Sequence, residues 1–168
     1  MLAWGTLMWE KKVQFHCLFV DETRNRFFKE AESEYLKRLK RYCPVSVHIV
    51  KGEKMSRSAS EAEIRKKETE RLMEKIPPAS FVVVLDQTGK EMTSEELADQ
   101  VQTWQNRSLQ HVAFVVGGPL GMDDSMRQRA DLVLSLSQMT FVHEMVRVFL
   151  LEQLYRAWTI LRNEKYHK

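Results

Sequence analysis

The chain has 168 residues, 43% hydrophobic and 29% charged, which is the balance of one folded domain and excludes a disordered or fibrous chain. Its 26 Lys+Arg against 23 Asp+Glu leave a formal net charge of +3. Bulk charge therefore does not mark a nucleic-acid binder, and any basic surface must be local.

Cys17 and Cys43 are too few for a disulfide scaffold or a four-cysteine zinc site. Beside apolar neighbours they read as reduced thiols of a cytoplasmic protein. No apolar run reaches the ~20 residues that cross a bilayer, so no membrane partner is expected. Residues 1–12 (MLAWGTLMWEKK) carry no secretory signal pattern and read as an extension ahead of a single domain, 13–168.

Val13–Val20 is apolar and ends at Asp21, as a buried strand does. Thr23 is placed to cap a helix running to about Arg41, in which Phe27, Ala31, Tyr35, Leu36 and Leu39 keep helical spacing. Pro44 ends it, and Val45, Val47 and Ile49 alternate as a strand. Lys51–Ser60 reads as a polar loop and Glu61–Lys75 as a charged surface helix stopped by Pro77-Pro78. Ser80–Leu85 is a short apolar run, expected of a strand covered on both faces. Thr93 and Glu96 have capping-box spacing and open a helix to about Trp104. His111–Val116 is a further strand, followed by Gly117-Gly118-Pro119. A short helix over Met122–Ala130, a short strand over Leu132–Leu136 and a long helix over Val142–Arg162 complete the chain.

Strands alternating with helices predict an α/β domain with a mainly parallel sheet and helices on both faces. Such sheets bind ligands at the carboxyl ends of their strands. Leu85-Asp86, Gly117-Gly118 and Ser135–Thr140 all stand at such ends, so three separated segments nominate one cleft. The glycines suit positive φ or close approach of a ligand, although the same tripeptide also serves as a plain turn. No dinucleotide fingerprint, phosphate loop, GxSxG elbow or metal-ligand spacing is present.

From Met145 to Leu161, 12 of 17 residues are apolar, so this helix is expected to be buried on most faces, either as a central core helix or between the sheet and a second subunit. Arg147 and Arg156 point to opposite sides of it and need partners if buried. The end, Arg162–Lys168, combines cations, an aromatic and an imidazole, which suits RNA, although tails of this kind ordinarily lie solvated.

FVVGGPLG, then LSLSQMTFVHEMVRVFLLEQLYRAWTIL, then the terminal KYHK together resemble the RlmH family of SPOUT-class methyltransferases. The resemblance is strongest over Phe81–Lys168 and reaches weakly to EAESEYLKRLKRYCPVSV. It implies a single-domain α/β-knot fold, whose C-terminal segment threads a loop. It implies S-adenosylmethionine as methyl donor, no metal, and a homodimer with its sites at the interface. The implied reaction is methylation of a ring nitrogen (N3) of pseudouridine in 23S ribosomal RNA of the large subunit, in the assembled ribosome.

Carried over by position, the resemblance implies a donor pocket of Leu85, Gly117, Gly118, Ser137, Gln138, Met139, Thr140, Phe141 and Val142. It implies RNA-binding and catalytic roles for His143, Arg147, Tyr166 and His167. Tyr166 and His167 would then close over the substrate, on the same or the neighbouring subunit. Either His143 or His167 could take the proton, and Arg147 could stabilise the ring anion. The chain departs from the family pattern at Leu120, where an acid is usual, at Val142 and Lys165, where proline is usual, and in the Phe19–Glu22 turn. Two rival readings use the same residues: a non-catalytic RNA-binding module, and a sensor that binds the donor alone.

Overall fold

A computed structural model describes residues 12–55 and 59–167. The extension expected over residues 1–12 falls, Lys12 aside, outside them. The elements run β1 (Gln14–Val20), α1 (Arg26–Leu39), β2 (Val45–Val50), α2 (Glu61–Lys75), β3 (Phe81–Glu91), α3 (Ser94–Asn106), β4 (His111–Val116), α4 (Asp124–Arg129), β5 (Leu132–Ser135) and α5 (His143–Leu161). A single 3₁₀ turn, Lys165–His167, ends the described chain. The five strands form one parallel sheet in the order β2-β1-β4-β3-β5.

Strand alternation divides the core into two layers. Phe15, Cys17, Phe19, Val83, Leu85, Phe114 and Val116 face a layer with Leu39 of α1, Val101 and Trp104 of α3, and Leu150, Leu154 and Trp158 of α5. Leu18, Val20, Val82, Val84, Ala113 and Val115 face the other way, onto Leu72 of α2 and Met126 of α4. Helices therefore cover both faces, as the continuous apolar strands require. Both cysteines are buried and free, and burial pushes their thiols up to about 12, so they serve as small core residues.

Capping chemistry sets the helix starts. Ser60 with Glu63, and Thr93 with Glu96, form capping boxes at α2 and α3. Helix α1 is capped by Asn25, whose side chain accepts from the N–H groups of Phe27 and Phe28, and not by Thr23 as expected. The Thr23 hydroxyl is already engaged, donating to Glu32 at 2.5 Å. Phe27 lies outside the core, at 78% exposure.

Helix α5 packs on the sheet between α1 and α3. Two flanking helices thus bury most of the faces that a sheet alone could not, and the central-helix reading accounts for Leu150, Leu151, Leu154, Ala157 and Trp158. A strip containing Phe149, 38% exposed, with half-buried Met145, Val148 and Glu152, is left facing outward.

His16 of β1 lies between His48 of β2 and His111 of β4, with ring-nitrogen separations of 3.1 Å on each side. Burial, with the two neighbouring imidazoles, lowers His16 to about 4. Between pH 6.5 and about 4 the unfolded chain binds a proton that the folded chain refuses. Stability is thus retained above the ordinary histidine range and lost on acidification. Denaturant unfolding across that window is expected to show a falling free energy, flattened in His16→Gln; equal slopes would exclude His16 as the cause.

Candidate functional site

Sheet order makes the site, because β4, β3 and β5 are adjacent and their carboxyl ends stand side by side. After β4 the chain turns through Gly118–Gly121, closed by the Gly121 N–H donating to the Gly118 carbonyl at 2.9 Å. Pro119 at the second turn position presets φ. The left-handed residue is Gly121, at φ 81°, so the positive φ expected of Gly117-Gly118 belongs three residues later. Gly117 and Gly118 answer to space instead. A Cβ on Gly117 would meet Met122 Cγ at 2.7 Å, and one on Gly118 would meet Glu68 Oε2 at 2.8 Å and Val20 Cγ1 at 3.4 Å. The missing side chain at 118 leaves room for Glu68 of α2. Gly118→Val is therefore expected to cost about 1–3 kcal/mol of stability through overpacking, seen as a lowered melting temperature. An unchanged melt would show that Glu68 yields freely.

Strand β3 runs past its apolar part. Leu85 and Lys90 both register with Leu134 of β5, so residues 86–89 bulge outward between them. The strand returns because position 89 is glycine: a Cβ there would lie 2.6 Å from the Val133 carbonyl oxygen. The Asp86 carboxylate holds the bulge, accepting from the Thr88 N–H and hydroxyl, both at 2.8 Å. The loop after β5 is tied to the same bulge. Ser135 Oγ donates to the Gln87 carbonyl at 3.1 Å, Thr140 Oγ1 to Gln87 Oε1 at 2.9 Å, and the Met139 N–H to Ser137 Oγ at 3.0 Å.

These segments enclose a cavity of about 420 Å³, in the range of small-molecule sites. Its floor is apolar, from Leu85, Val116, Leu134 and Leu136. Asp86, Thr88 and Arg127 supply polarity on one side and His143 on another. Burial opposes ionisation of Asp86, but hydrogen bonds from Thr88 and Arg127 prevail and hold its carboxyl below the usual range. Burial, with the Arg147 charge second, lowers His143 below the usual histidine range. At neutral pH it is a neutral imidazole able to accept a proton.

Of the residues expected here, Leu85, Gly117, Gly118, Ser137, Met139, Thr140, Phe141 and His143 all line this cavity. Gln138 lines an adjoining hollow that shares Gln87 and Thr88 with it. Val142, 58% exposed, begins α5 beside it. Arg147, Tyr166 and His167 are not on its wall. Asp86, nominated with the strand ends, is on the wall; Gln87, Thr88 and Arg127 are there too though sequence reasoning assigned them no role, and the Asp-x-Thr turn after an apolar strand was the available signal for the first two.

Arg147 is fully buried. Its guanidinium donates to the carbonyls of Val20 and Asp21 and to Thr23 Oγ1, and lies 4.9 Å from the Phe19 ring centre. It ties α5 to the end of β1, and every Nη contact it makes is internal. Its Nη groups are thus engaged by backbone carbonyls and Thr23, away from the cavity wall where a direct role was expected, and its charge acts on His143 of that wall.

The tail is folded back on its own chain. Tyr166 donates to Glu152 Oε1 at 2.9 Å, and its ring sits edge-on to Tyr155 at 4.7 Å and 4.8 Å from the Arg156 guanidinium. Burial, with Tyr35 and Glu152, raises the Tyr166 phenol, which makes it a donor and not a base at neutral pH. His167 Nε2 is 2.6 Å from Glu95 Oε1. Glu152 lines a second hollow of about 360 Å³, divided from the first by Leu136 and Phe141. Among the described residues, no group of three His, Cys, Asp or Glu is placed to hold a metal ion.

A family model described as "Predicted SPOUT methyltransferase" matches residues 13–167. The chain belongs to the SPOUT methyltransferase family. The parallel sheet with helices on both faces is thus the SPOUT fold. The chain is 45% identical over 151 residues to a protein of Desulfotalea psychrophila named "Ribosomal RNA large subunit methyltransferase H", covering 90% of this chain and 97% of that one. It is 42% identical over 159 residues to the protein of the same name in Halothermothrix orenii, covering 93% and 100%. Among solved structures it is similar to the tRNA (m1G37) methyltransferase of Aquifex aeolicus, at 13% identity and a TM-score of 0.47, covering 86% of this chain and 69% of that one. Membership of the SPOUT family implies a methyl donor.

Proposed function

We propose that the chain transfers a methyl group from S-adenosylmethionine to N3 of a pseudouridine in 23S ribosomal RNA of the large subunit. It acts as a cytoplasmic homodimer on the assembled ribosome. One observation carries the reading: in a SPOUT methyltransferase chain, the Gly117–Gly121 turn and the Ser137–Phe141 loop converge on a single cavity with a neutral imidazole on its wall. The names of the relatives supply the large-subunit rRNA. The acceptor atom follows from the resemblance of the GGP–loop–HxxVRV motifs.

The fit of the donor is physical. A floor of Leu85, Val116, Leu134 and Leu136 suits an adenine ring, and the loop backbone from Ser137 to Phe141 offers N–H and carbonyl groups for its edge. When bound, the donor supplies an electrophilic methyl on a sulfonium. The chain's own contribution is alignment and proton removal. His143, on the cavity wall and neutral, accepts the proton of the ring N–H. Arg147 holds the start of α5, and hence His143, against the β1 end.

Tyr166 and His167 do not line the cavity of their own chain; they are held by Glu152, on the second hollow, and by Glu95. That supports reading their expected place over the substrate as the partner's site in a dimer. The outward strip of α5 with Met139, Val142 and Phe149, all exposed apolar residues near the cavity, is the surface that a second copy would cover. Light scattering is expected to report twice 19.8 kDa, and a monomer would remove the composite site.

The deciding experiment is transfer of labelled methyl from S-adenosylmethionine to ribosomes of a strain lacking this modification. Label in large-subunit RNA at a pseudouridine is expected. Donor binding without transfer would favour a non-catalytic module instead.

A further inference from the structure

The donor cavity carries one feature that neither its apolar floor nor its proton acceptor accounts for. Among the described residues, Asp86 is the only carboxylate on its wall and Arg127 the only guanidinium, with no lysine beside them. Arg127 Nη2 lies 2.5 Å from Asp86 Oδ1 and also donates to Thr88 Oγ1. Both side chains keep solvent contact, 28% for Asp86 and 39% for Arg127, so the pair can open toward the cavity without unpacking the core.

We propose that Asp86 and Arg127 form the subsite for the amino-acid end of the methyl donor, Asp86 receiving its ammonium and Arg127 its carboxylate. The proposal rests on the donor reading of this cavity. An α-amino acid end is a zwitterion, and enclosing it without opposite charges on each side is costly. A wall offering one anion and one cation meets that need with no change in net charge. One internal ion pair is exchanged for two with the ligand.

The local chemistry fits the exchange. The Thr88 N–H, the Thr88 hydroxyl and Arg127 all fall on Asp86 Oδ1. Among the described residues no hydrogen bond reaches Oδ2, which leaves an acceptor for an ammonium. The bulge fixes the carboxylate, since Gly89 lets β3 return to β5 and Thr88 holds Oδ1. Arg127 extends from the short α4, which is anchored through Met126 in the core. The fork of a guanidinium matches a carboxylate in two parallel hydrogen bonds. The rival account is that the ion pair only braces the bulge.

The test is calorimetric binding of three probes: S-adenosylmethionine, S-adenosylhomocysteine and methylthioadenosine, which lacks the amino-acid end. Asp86→Asn and Arg127→Met are each expected to weaken the first two by roughly 10- to 100-fold, as loss of a charge-assisted hydrogen bond does, and to leave methylthioadenosine affinity unchanged. Retained methylthioadenosine binding also certifies the fold of each variant. Unaltered affinity for S-adenosylmethionine in both variants would overturn the proposal. An equal loss for all three probes would overturn it in favour of a bracing role. Wild-type protein that binds none of the three would overturn the donor reading, and this proposal with it.

Discussion

Removal of Tyr166–Lys168 is expected to leave fold and donor affinity nearly intact and to collapse methyl transfer. The tail's links to its own chain lie at the edge of the fold: Tyr166 to Glu152, Tyr155, Arg156 and Tyr35, and His167 to Glu95 and Arg156. Their loss should cost about 1 kcal/mol. Alignment of an acceptor is worth far more, several kcal/mol of barrier, so the rate should fall by roughly 10²–10⁴-fold while donor binding persists. His143→Ala is expected to fall by a similar roughly 10²–10⁴-fold factor through loss of the proton acceptor. Mixing the two inactive proteins then decides where the tail works. If it serves the partner, a mixed dimer has one site with an intact His143 and an intact tail. Random re-pairing should restore about one quarter of wild-type sites. If the tail serves its own chain, no combination is complete and the mixture stays inactive. A truncated protein methylating ribosomes at the full rate would remove the tail from the reaction altogether.

Replacement of Arg147 is expected to give a large stability loss. Its guanidinium is fully buried and bonded to the Val20 and Asp21 carbonyls and the Thr23 hydroxyl. Arg147→Met keeps much of the aliphatic volume but strips those acceptors of their donor. It also leaves half-buried Glu32, already raised by burial, without the nearby positive charge. Breaking such a network costs about 3–5 kcal/mol, a fall of roughly 10 °C in melting temperature for a chain of this length. Arg147→Lys should recover little, since one ammonium cannot reproduce a fork that spans three acceptors. A melting temperature within a degree or two of wild type would show that solvent or neighbouring groups replace these bonds.

The order and kind of elements were legible because local signals agree. Apolar runs bounded by Asp21, Pro44 and Gly117 became β1, β2 and β4, and the Ser60 and Thr93 capping boxes opened α2 and α3. The family was legible as well, since GGP, the serine-rich loop and HxxVRV lie in an order that the match over residues 13–167 bears out. The donor segments could be nominated because ligands of parallel sheets gather at strand ends. Thr23 misled because its hydroxyl satisfies Glu32 and Arg147, a tertiary demand that no local pattern carries.

By itself, the sequence determined an α/β domain of the SPOUT family with three nominated ligand segments. Spacing along the chain and hydrophobic period are properties of neighbouring residues, and they suffice for that. Only the tertiary structure decided which of those residues share a wall. Strand order brings Leu85, Gly117 and Ser137 together across 52 residues of chain, and the bulge between Leu85 and Lys90 turns Asp86 toward Arg127. The same packing withdrew Arg147 into the core and laid Tyr166 on Glu152, away from the cavity of its own chain. A buried charge goes where acceptors can meet it, and for Arg147 those are carbonyls more than a hundred residues away.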